Sequence, residues 1–327
     1  MAALYIVSAE EAAGKTAVCA GLGKFLQGNG KKVGFLKPLT AGTNVNGDTV
    51  FMKIILDLPE PAESLCPPLS EANKVKEAYD KVSQGKDVVI VEGGVGPSPD
   101  DSASRASYEI AKAISARMIV VEAYREGASG FINVYKGFGG SLLGVILNKV
   151  PQSQLKRVQS EGAKQFSAAG INMLGALPED RVLFTITVGE LAENIQGKVL
   201  NNAEKSTELV ENFMLGAMVV DSGLSYFGRK SHKAAIVRQD RPDMQLAALE
   251  TSTNCLVLSG SNKPPVYNVL EKAENRGIPI ISTELGASDI VTNIDSTLRK
   301  SRFTQEKKLP RLADVMKQHL NLQSVLL

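Results

Sequence analysis

The stretch that most restricts how this chain can fold is S-A-E-E-A-A-G-K-T, Ser8–Thr16. A short apolar run, Leu4–Ser8, precedes it, and an amphipathic stretch, Lys15–Gln27, comes after. A loop ending in G-K-T between a strand and a helix has the context that a phosphate-binding loop requires. Successive backbone N–H groups and the helix N-terminus can cradle phosphate there. Gly14 lets the backbone come close, Lys15 can reach β- and γ-phosphates, and the Thr16 hydroxyl can ligate magnesium. Ala12, Ala13, Gly14, Lys15, Thr16 and Ala17 are therefore the expected nucleotide contacts, with Lys15 also acting on the transferred charge. The match is imperfect, because Ala9 stands where a regular motif has its first Gly. The alternative is a chance G-K-T at a helix start.

The rest of the first half fits that loop. Apolar runs at Leu4–Ser8, Val33–Lys37, Asp87–Glu92, Met118–Glu122, Leu142–Asn148 and Met173–Leu177 alternate with helix-like stretches such as Ser104–Ala116 and Gln154–Ala169. Short Val- and Ile-rich strands at this spacing predict βαβ units and a mainly parallel sheet flanked by helices, of the P-loop NTPase type. Their unbroken apolar character fits burial on both faces. Pro178–Asp180 ends the pattern. Leu183–Asn212 is expected to be a mainly helical bridge. Alternation then resumes, with strands expected at Met214–Val220, Ala234–Val237, Cys255–Ser259 and Ile278–Ser282, and helices at Met244–Thr251, Pro265–Arg276 and Ser288–Leu298. The expected division is 1–182, a bridge over 183–212, and a smaller α/β domain over 213–327 that ends in a helix, Arg311–His319. Lys307 and Lys308 are expected to be solvated surface charge.

Four residues fall at strand ends or in the adjoining loops, where such sheets bind ligands. Glu92 closes V-V-I-V-E-G-G-V-G and, with Thr16 and Asp48 of G-D-T, is a candidate magnesium ligand. The alternatives are a solvated acid at Glu92 and a turn residue at Asp48. Lys37, in G-F-L-K-P-L-T-A-G, could neutralise phosphate or carboxylate charge, or be a surface lysine. Asn148, in G-V-I-L-N-K-V, offers a donor and an acceptor that could read a base edge, or simply form a turn. In the second half, Asp240, Arg241 and Asp243 of D-R-P-D come just after a strand, and Ser259 closes the next one. Together they form a candidate rim for a small metabolite or for a subunit contact. Pro242 would be the first helical residue, and Asp240 could instead cap that helix.

Composition excludes several classes. A net charge of +2 over 327 residues argues against nucleic acid or membrane as partner. Trp is absent and aromatics are 5%, too few for a base-stacking platform. Three scattered cysteines, with no C-x-x-C, suggest neither a disulfide framework nor a zinc site. Only two histidines, His232 and His319, weaken any histidine-based site. The start reads as a strand rather than a signal peptide. No apolar stretch is long enough to span a bilayer. A cytoplasmic location is expected.

The loop ending in G-K-T, together with K-P-L-T-A-G, V-E-G-G-V-G, G-V-I-L-N and L-G-A-L-P, resembles the successive motifs of dethiobiotin synthetases. That resemblance implies ATP and magnesium as ligands. It implies that Lys15, Thr16, Asp48 and Glu92 handle them, that Asn148 reads adenine, and that Lys37 stands at the reacting end. R-Q-D-R-P-D-M-Q-L-A-A-L-E-T and the later C-L-V-L-S-G and G-I-P-I-I-S-T resemble the DRTGG domain. The two in this order are similar to the N-terminal regulatory region of long bacterial phosphate acetyltransferases. In those proteins the acetyl-transferring domain comes after the DRTGG domain. No such segment is present here, so acetyl transfer to phosphate is not expected. Glu10, Glu11 and Ala12 replace a Thr-Asp-Thr run of the synthetases, which sets dethiobiotin synthesis apart. Two functions remain: a nucleotide-dependent regulatory or sensing module that assembles as a homo-oligomer through its second domain, and an ATP-dependent ligase that activates a carboxylate or carbamate.

Overall fold

A computed structural model describes residues 2–39, 45, 47–126, 130–217, 222–300 and 302–325. Thr40–Gly42 of the K-P-L-T-A-G motif, and the strand end expected at 218–220, lie outside them. Strand β1 (Ala2–Val7) runs straight into the Ser8–Thr16 loop, which leads into α1 (Lys15–Gly28). Then come β2 (Val33–Leu36), α2 (Gly47–Ile55), α3 (Ala72–Val82), β3 (Val88–Glu92), α4 (Ser102–Ala113), β4 (Arg117–Ala123), α5 (Ile132–Lys136) and β5 (Leu142–Val150). After β5 the expected single helix is α6 (Leu155–Arg157), a π-helical turn at Val158–Gly162 and α7 (Ala163–Ala168), before β6 (Met173–Pro178).

The six strands form one parallel sheet in the order β2-β3-β1-β4-β5-β6. After β1 the chain moves outward past β3 to β2. From β2 onward every step goes the other way. Right-handed crossovers therefore send α1 to one face and α3, α4 and α5 to the other. β1 and β3 are neighbours whose helices leave on opposite faces, which opens a crevice at their carboxyl ends. Both strands are buried almost throughout, as their continuous apolar sequence requires.

The chain divides into two compact units, Met1–Leu183 with Arg302–Leu327, and Phe184–Ser301. The tail assigned from sequence to the second domain thus belongs to the first. Its helix α13 (Leu309–His319) packs on α1 and β6, with Leu312, Val315 and Met316 in the first core. The fit depends on glycines. A Cβ on Gly21 would meet Met316 Sδ at 2.0 Å, and one on Gly175 (φ +152°) would meet the His319 carbonyl at 2.1 Å. Lys308 departs from its expected solvation: it is fully buried, with its ammonium 5.9 Å from the centre of the Phe303 ring. Lys307 is exposed.

The second unit begins inside the expected bridge, which is not mainly helical. It contains β7 (Ile186–Thr187), α8 (Val188–Asn194), β8 (Lys198–Val199) and β9 (Leu209–Val210). Only α8 has a full helix signal, a capping box between Thr187 and Glu190. Left-handed Gln196 and Asn202 interrupt the chain beyond α8 before another helix can form. Next come β10 (Asn212–Gly216), α9 (Gly223–Phe227), β11 (Lys233–Arg238), α10 (Pro242–Leu249), β12 (Thr253–Ser259), α11 (Tyr267–Asn275), β13 (Ile280–Thr283) and α12 (Ala287–Lys300). Four parallel strands and antiparallel β8 make the sheet β10-β11-β12-β13-β8. One apolar layer lies between this sheet and α9, α10 and α11, and a second lies under α8 and α12. Among the described residues, no helix is long and apolar enough to cross a membrane.

Candidate functional site

The loop after β1 closes over the crevice between β1 and β3. Ala12 (φ 55°) and Gly14 (φ 93°) are both left-handed, which turns the chain sharply into α1. A Cβ on Gly14 would stand 2.2 Å from Asn148 Nδ2, so only glycine fits. Val18 N–H already bonds the Gly14 carbonyl, so the N–H groups of Lys15, Thr16 and Ala17 in the first turn have no intrahelical partner. Lys15 Nζ meets the Glu10 carbonyl at 3.3 Å and, among the described residues, forms no ion pair. Burial lowers its pKa, and the field of Glu92 opposes that shift.

Parallel register assembles the charged cluster. Ile6 on β1 pairs with Glu92, and Leu36 on β2 pairs with Val91, so Lys37 emerges beside Glu92. Glu92 Oε1 accepts from Thr16 Oγ1 at 3.0 Å and from Lys37 Nζ at 2.8 Å. Lys37 Nζ also bonds Asp48 Oδ2, at 2.6 Å, in the first turn of α2. Burial works against the Lys37 charge, but Glu92 and Asp48 outweigh it and raise its pKa. Thr16, Lys37, Asp48 and Glu92 thus converge. Lys37 is a buried cation between two acids rather than a surface lysine, and Glu92 is 2% exposed rather than solvated. The second oxygen, Glu92 Oε2, is buried with no hydrogen-bond partner. A buried carboxylate oxygen left unmet is costly, so the cluster has room for one more cation or donor. No group of three or more His, Cys, Asp or Glu ligands gathers among the described residues. A divalent ion here would need Thr16 and ligand oxygens as well, which fits magnesium.

Asn148 is at the loop, as its strand-end position required. Its Nδ2 donates to the Ala13 carbonyl at 2.8 Å, and its Oδ1 accepts from the Lys149 N–H at 2.9 Å. An amide has two N–H donors and two acceptor lone pairs, so one of each remains for a base edge.

Three contacts had no counterpart in the sequence pattern. Lys149 (φ 58°) turns its ammonium onto the Ala12 carbonyl at 2.7 Å. Glu10 ties the loop to the end of β4, accepting from the Ala123 N–H at 3.2 Å and pairing with Arg125. Arg125 in turn borders a cavity of about 580 Å³ lined also by Leu147, Val158 and Phe166. Leu147 faces this cavity, while the next residue, Asn148, faces the loop. The third is Arg302, whose Nη1 lies 3.9 Å from Asp48 Oδ2.

In the second unit, register partners Arg238 and Ser259 bring the expected rim together. The charges there are matched locally. Asp240 pairs with Arg238 at 2.5 Å, and Arg241 with Asp243 at 2.8 Å. Pro242 opens α10 as expected, but Arg241 holds the cap position and no side chain caps the helix. Asp240 is therefore no cap. Ser259 is buried at the end of β12.

Comparison with known proteins respects this division. Residues 2–186 match the family model described as AAA domain, and the chain belongs to that family. Residues 190–297 match the DRTGG domain. The phosphate acetyltransferase of Pseudomonas aeruginosa is 24% identical over 355 residues, covering 95% of this chain and 49% of that protein. The ATP-dependent dethiobiotin synthetase BioD of Bacillus thuringiensis is 26% identical over 203 residues, covering 54% of this chain and 84% of the relative. The chain spans about half the length of the phosphate acetyltransferases it matches. Among solved structures, the MinC:MinD cell division complex of Aquifex aeolicus aligns at 17% identity with a TM-score of 0.40, over 56% of this chain and 84% of that one.

Proposed function

We propose that this protein binds ATP with magnesium at the Ser8–Thr16 loop and that its DRTGG unit makes it a nucleotide-dependent regulatory module. The observation that carries the binding is a desolvated Lys15, without an ion pair among the described residues, at the open first turn of α1 and beside a buried cluster with an unmet oxygen on Glu92. Phosphate would be held by Lys15 and by the free N–H groups of α1. Ala12, Ala13, Gly14 and Ala17 form the wall of that cradle. Thr16, Asp48 and Glu92 would hold magnesium, which supplies charge neutralisation for the phosphates. The remaining donor and acceptor of Asn148 would meet adenine. The regulatory part rests on the pairing of the two domains, which the phosphate acetyltransferases share. A small metabolite or a second copy of the chain at the rim of Asp240, Arg241, Asp243 and Ser259 belongs to the same proposal.

Calorimetry tests the binding. Lys15→Ala should weaken MgATP binding by about one to two orders of magnitude, the worth of a charge-assisted hydrogen bond. Its melting temperature should barely move, because the lost ammonium meets only the Glu10 carbonyl at 3.3 Å. Equal affinity in wild type and variant would refute the loop assignment.

Lys37 favours a second reading, an ATP-dependent ligase that activates a carboxylate or carbamate. It stands between the two acids, poised to turn toward a substrate oxyanion once another cation takes them. ADP release that requires an added amine or carboxylate would favour that reading. ADP release independent of any co-substrate would favour the regulatory one.

A further inference from the structure

Asp48 Oδ2 faces two cations of different standing. Lys37 is held from inside the protein, bonded to Asp48 and Glu92 together. Arg302 comes from outside, at 3.9 Å, and its side chain is 63% exposed. A loose pair through a solvated guanidinium contributes little to stability. The backbone beside it is nevertheless fixed. Phe303 meets Phe51 of α2 edge-on, with ring centres 5.8 Å apart, and Lys308 stands over the same Phe303 ring. The helix that carries Asp48 therefore also anchors the segment that carries Arg302. Four consecutive contacts, none longer than 3.9 Å, lead from Thr16 through Glu92, Lys37 and Asp48 to Arg302.

We propose that Arg302 is an anion-binding residue of this site that engages the terminal phosphate of a bound nucleoside triphosphate. The proposal rests on the nucleotide-binding reading and adds a residue to it from the far end of the chain. Charge dictates the exchange. One carboxylate oxygen does not hold Lys37, Arg302 and a divalent ion together, because the cations repel one another. The most weakly held, Arg302, leaves first. Its planar fork matches two phosphate oxygens better than a single distant carboxylate oxygen. Arg302 also lies just beyond α12 in sequence, so a pull on it acts on the stretch of chain that leaves the second unit. That gives the DRTGG unit a covalent route by which to register triphosphate rather than diphosphate.

The test is calorimetry with the full chain, MgATP against MgADP, on wild type, Arg302→Gln, Arg302→Lys and Lys15→Ala. The expected result is a roughly tenfold loss of MgATP affinity in Arg302→Gln with MgADP affinity unchanged, since one charge-assisted contact is worth about that much. Arg302→Lys should recover part of the loss. Arg302→Gln binding both nucleotides as wild type does, or losing both equally, would overturn the proposal. A thermal melt guards against a folding defect, which an exposed Gln is not expected to cause. If wild type binds nucleotide, Lys15→Ala does not, and Arg302→Gln equals wild type, only the Arg302 proposal falls. If wild type binds neither nucleotide, the nucleotide-binding reading falls and takes this proposal with it.

Discussion

Two buried lysines show how differently the same side chain is held. Lys37 lies between two carboxylates, and its charge is favoured. Lys233 is fully buried at the start of β11, where its ammonium donates to the Thr251 hydroxyl and the Ser252 carbonyl at 2.8 Å each. Burial lowers its pKa to about 8. The unfolded chain holds that proton up to about pH 10.4. Between those two values the unfolded state binds more protons, so stability rises with pH across this window. Below about pH 8 both states are protonated and the gain is absent. Urea melts from pH 7.5 to 10.5 should show this rise in the wild-type protein and not in Lys233→Met. Parallel behaviour of the two proteins would mean that Lys233 stays charged in the fold. The sequence marked Lys15, Thr16, Lys37, Glu92 and Asn148 because each stands where a strand ends or a helix starts, and such places are legible from a strand–loop–helix pattern. It could not mark Lys233, Lys308, Glu10 or Arg302. Their environments come from partners remote in sequence, and nothing local distinguishes a buried lysine from a solvated one.

At the level of elements, the alternation of apolar runs and amphipathic stretches placed all six strands of the first sheet, because each is buried on both faces and reads as a short Val- and Ile-rich run. It missed α2 and α3 and the two-residue strands β7, β8 and β9, which carry too little periodicity to register. It also placed α13 correctly along the chain and in the wrong unit, since an amphipathic helix does not say which surface it will cover. Gly175 identifies that surface. Its φ of +152° is strained for other residues, and a Cβ would stand 2.1 Å from the His319 carbonyl, which is backbone and has little freedom to move. Gly175→Ala should therefore cost about 1–3 kcal/mol, the usual penalty of overpacking. The damage should centre on the end of α13, where Leu320 bridges to Gly175. Hydrogen exchange should show faster exchange over 309–322 than in wild type. Unchanged exchange there, with a lower melting temperature, would place the strain within β6 instead.

For the whole molecule, the distribution of cores matters more than the order of domains along the chain. The first core contains Leu312, Val315, Met316, Leu322 and Val325 from the tail, alongside residues from every strand of the first sheet. The two apolar layers of the second unit draw only on residues between Ile186 and Ile294. The second unit is thus an insertion between the first 183 residues and the tail that completes their core. Two truncations should behave in opposite ways. A fragment of residues 184–301 carries both of its layers and should fold alone, with cooperative melting by circular dichroism. A chain ending at residue 301 keeps the whole P-loop sequence but loses five buried apolar side chains, each worth about 1.5–3 kcal/mol when fully buried. Ordering the tail offsets part of that, so the net loss should be several kcal/mol. The first unit of this truncated chain should melt well below wild type and bind nucleotide weakly, although every loop residue is present. Adding residues 302–327 in trans as a peptide should restore part of the melting temperature. If the chain ending at 301 melts as wild type does, the tail is a surface appendage and the first unit is complete without it.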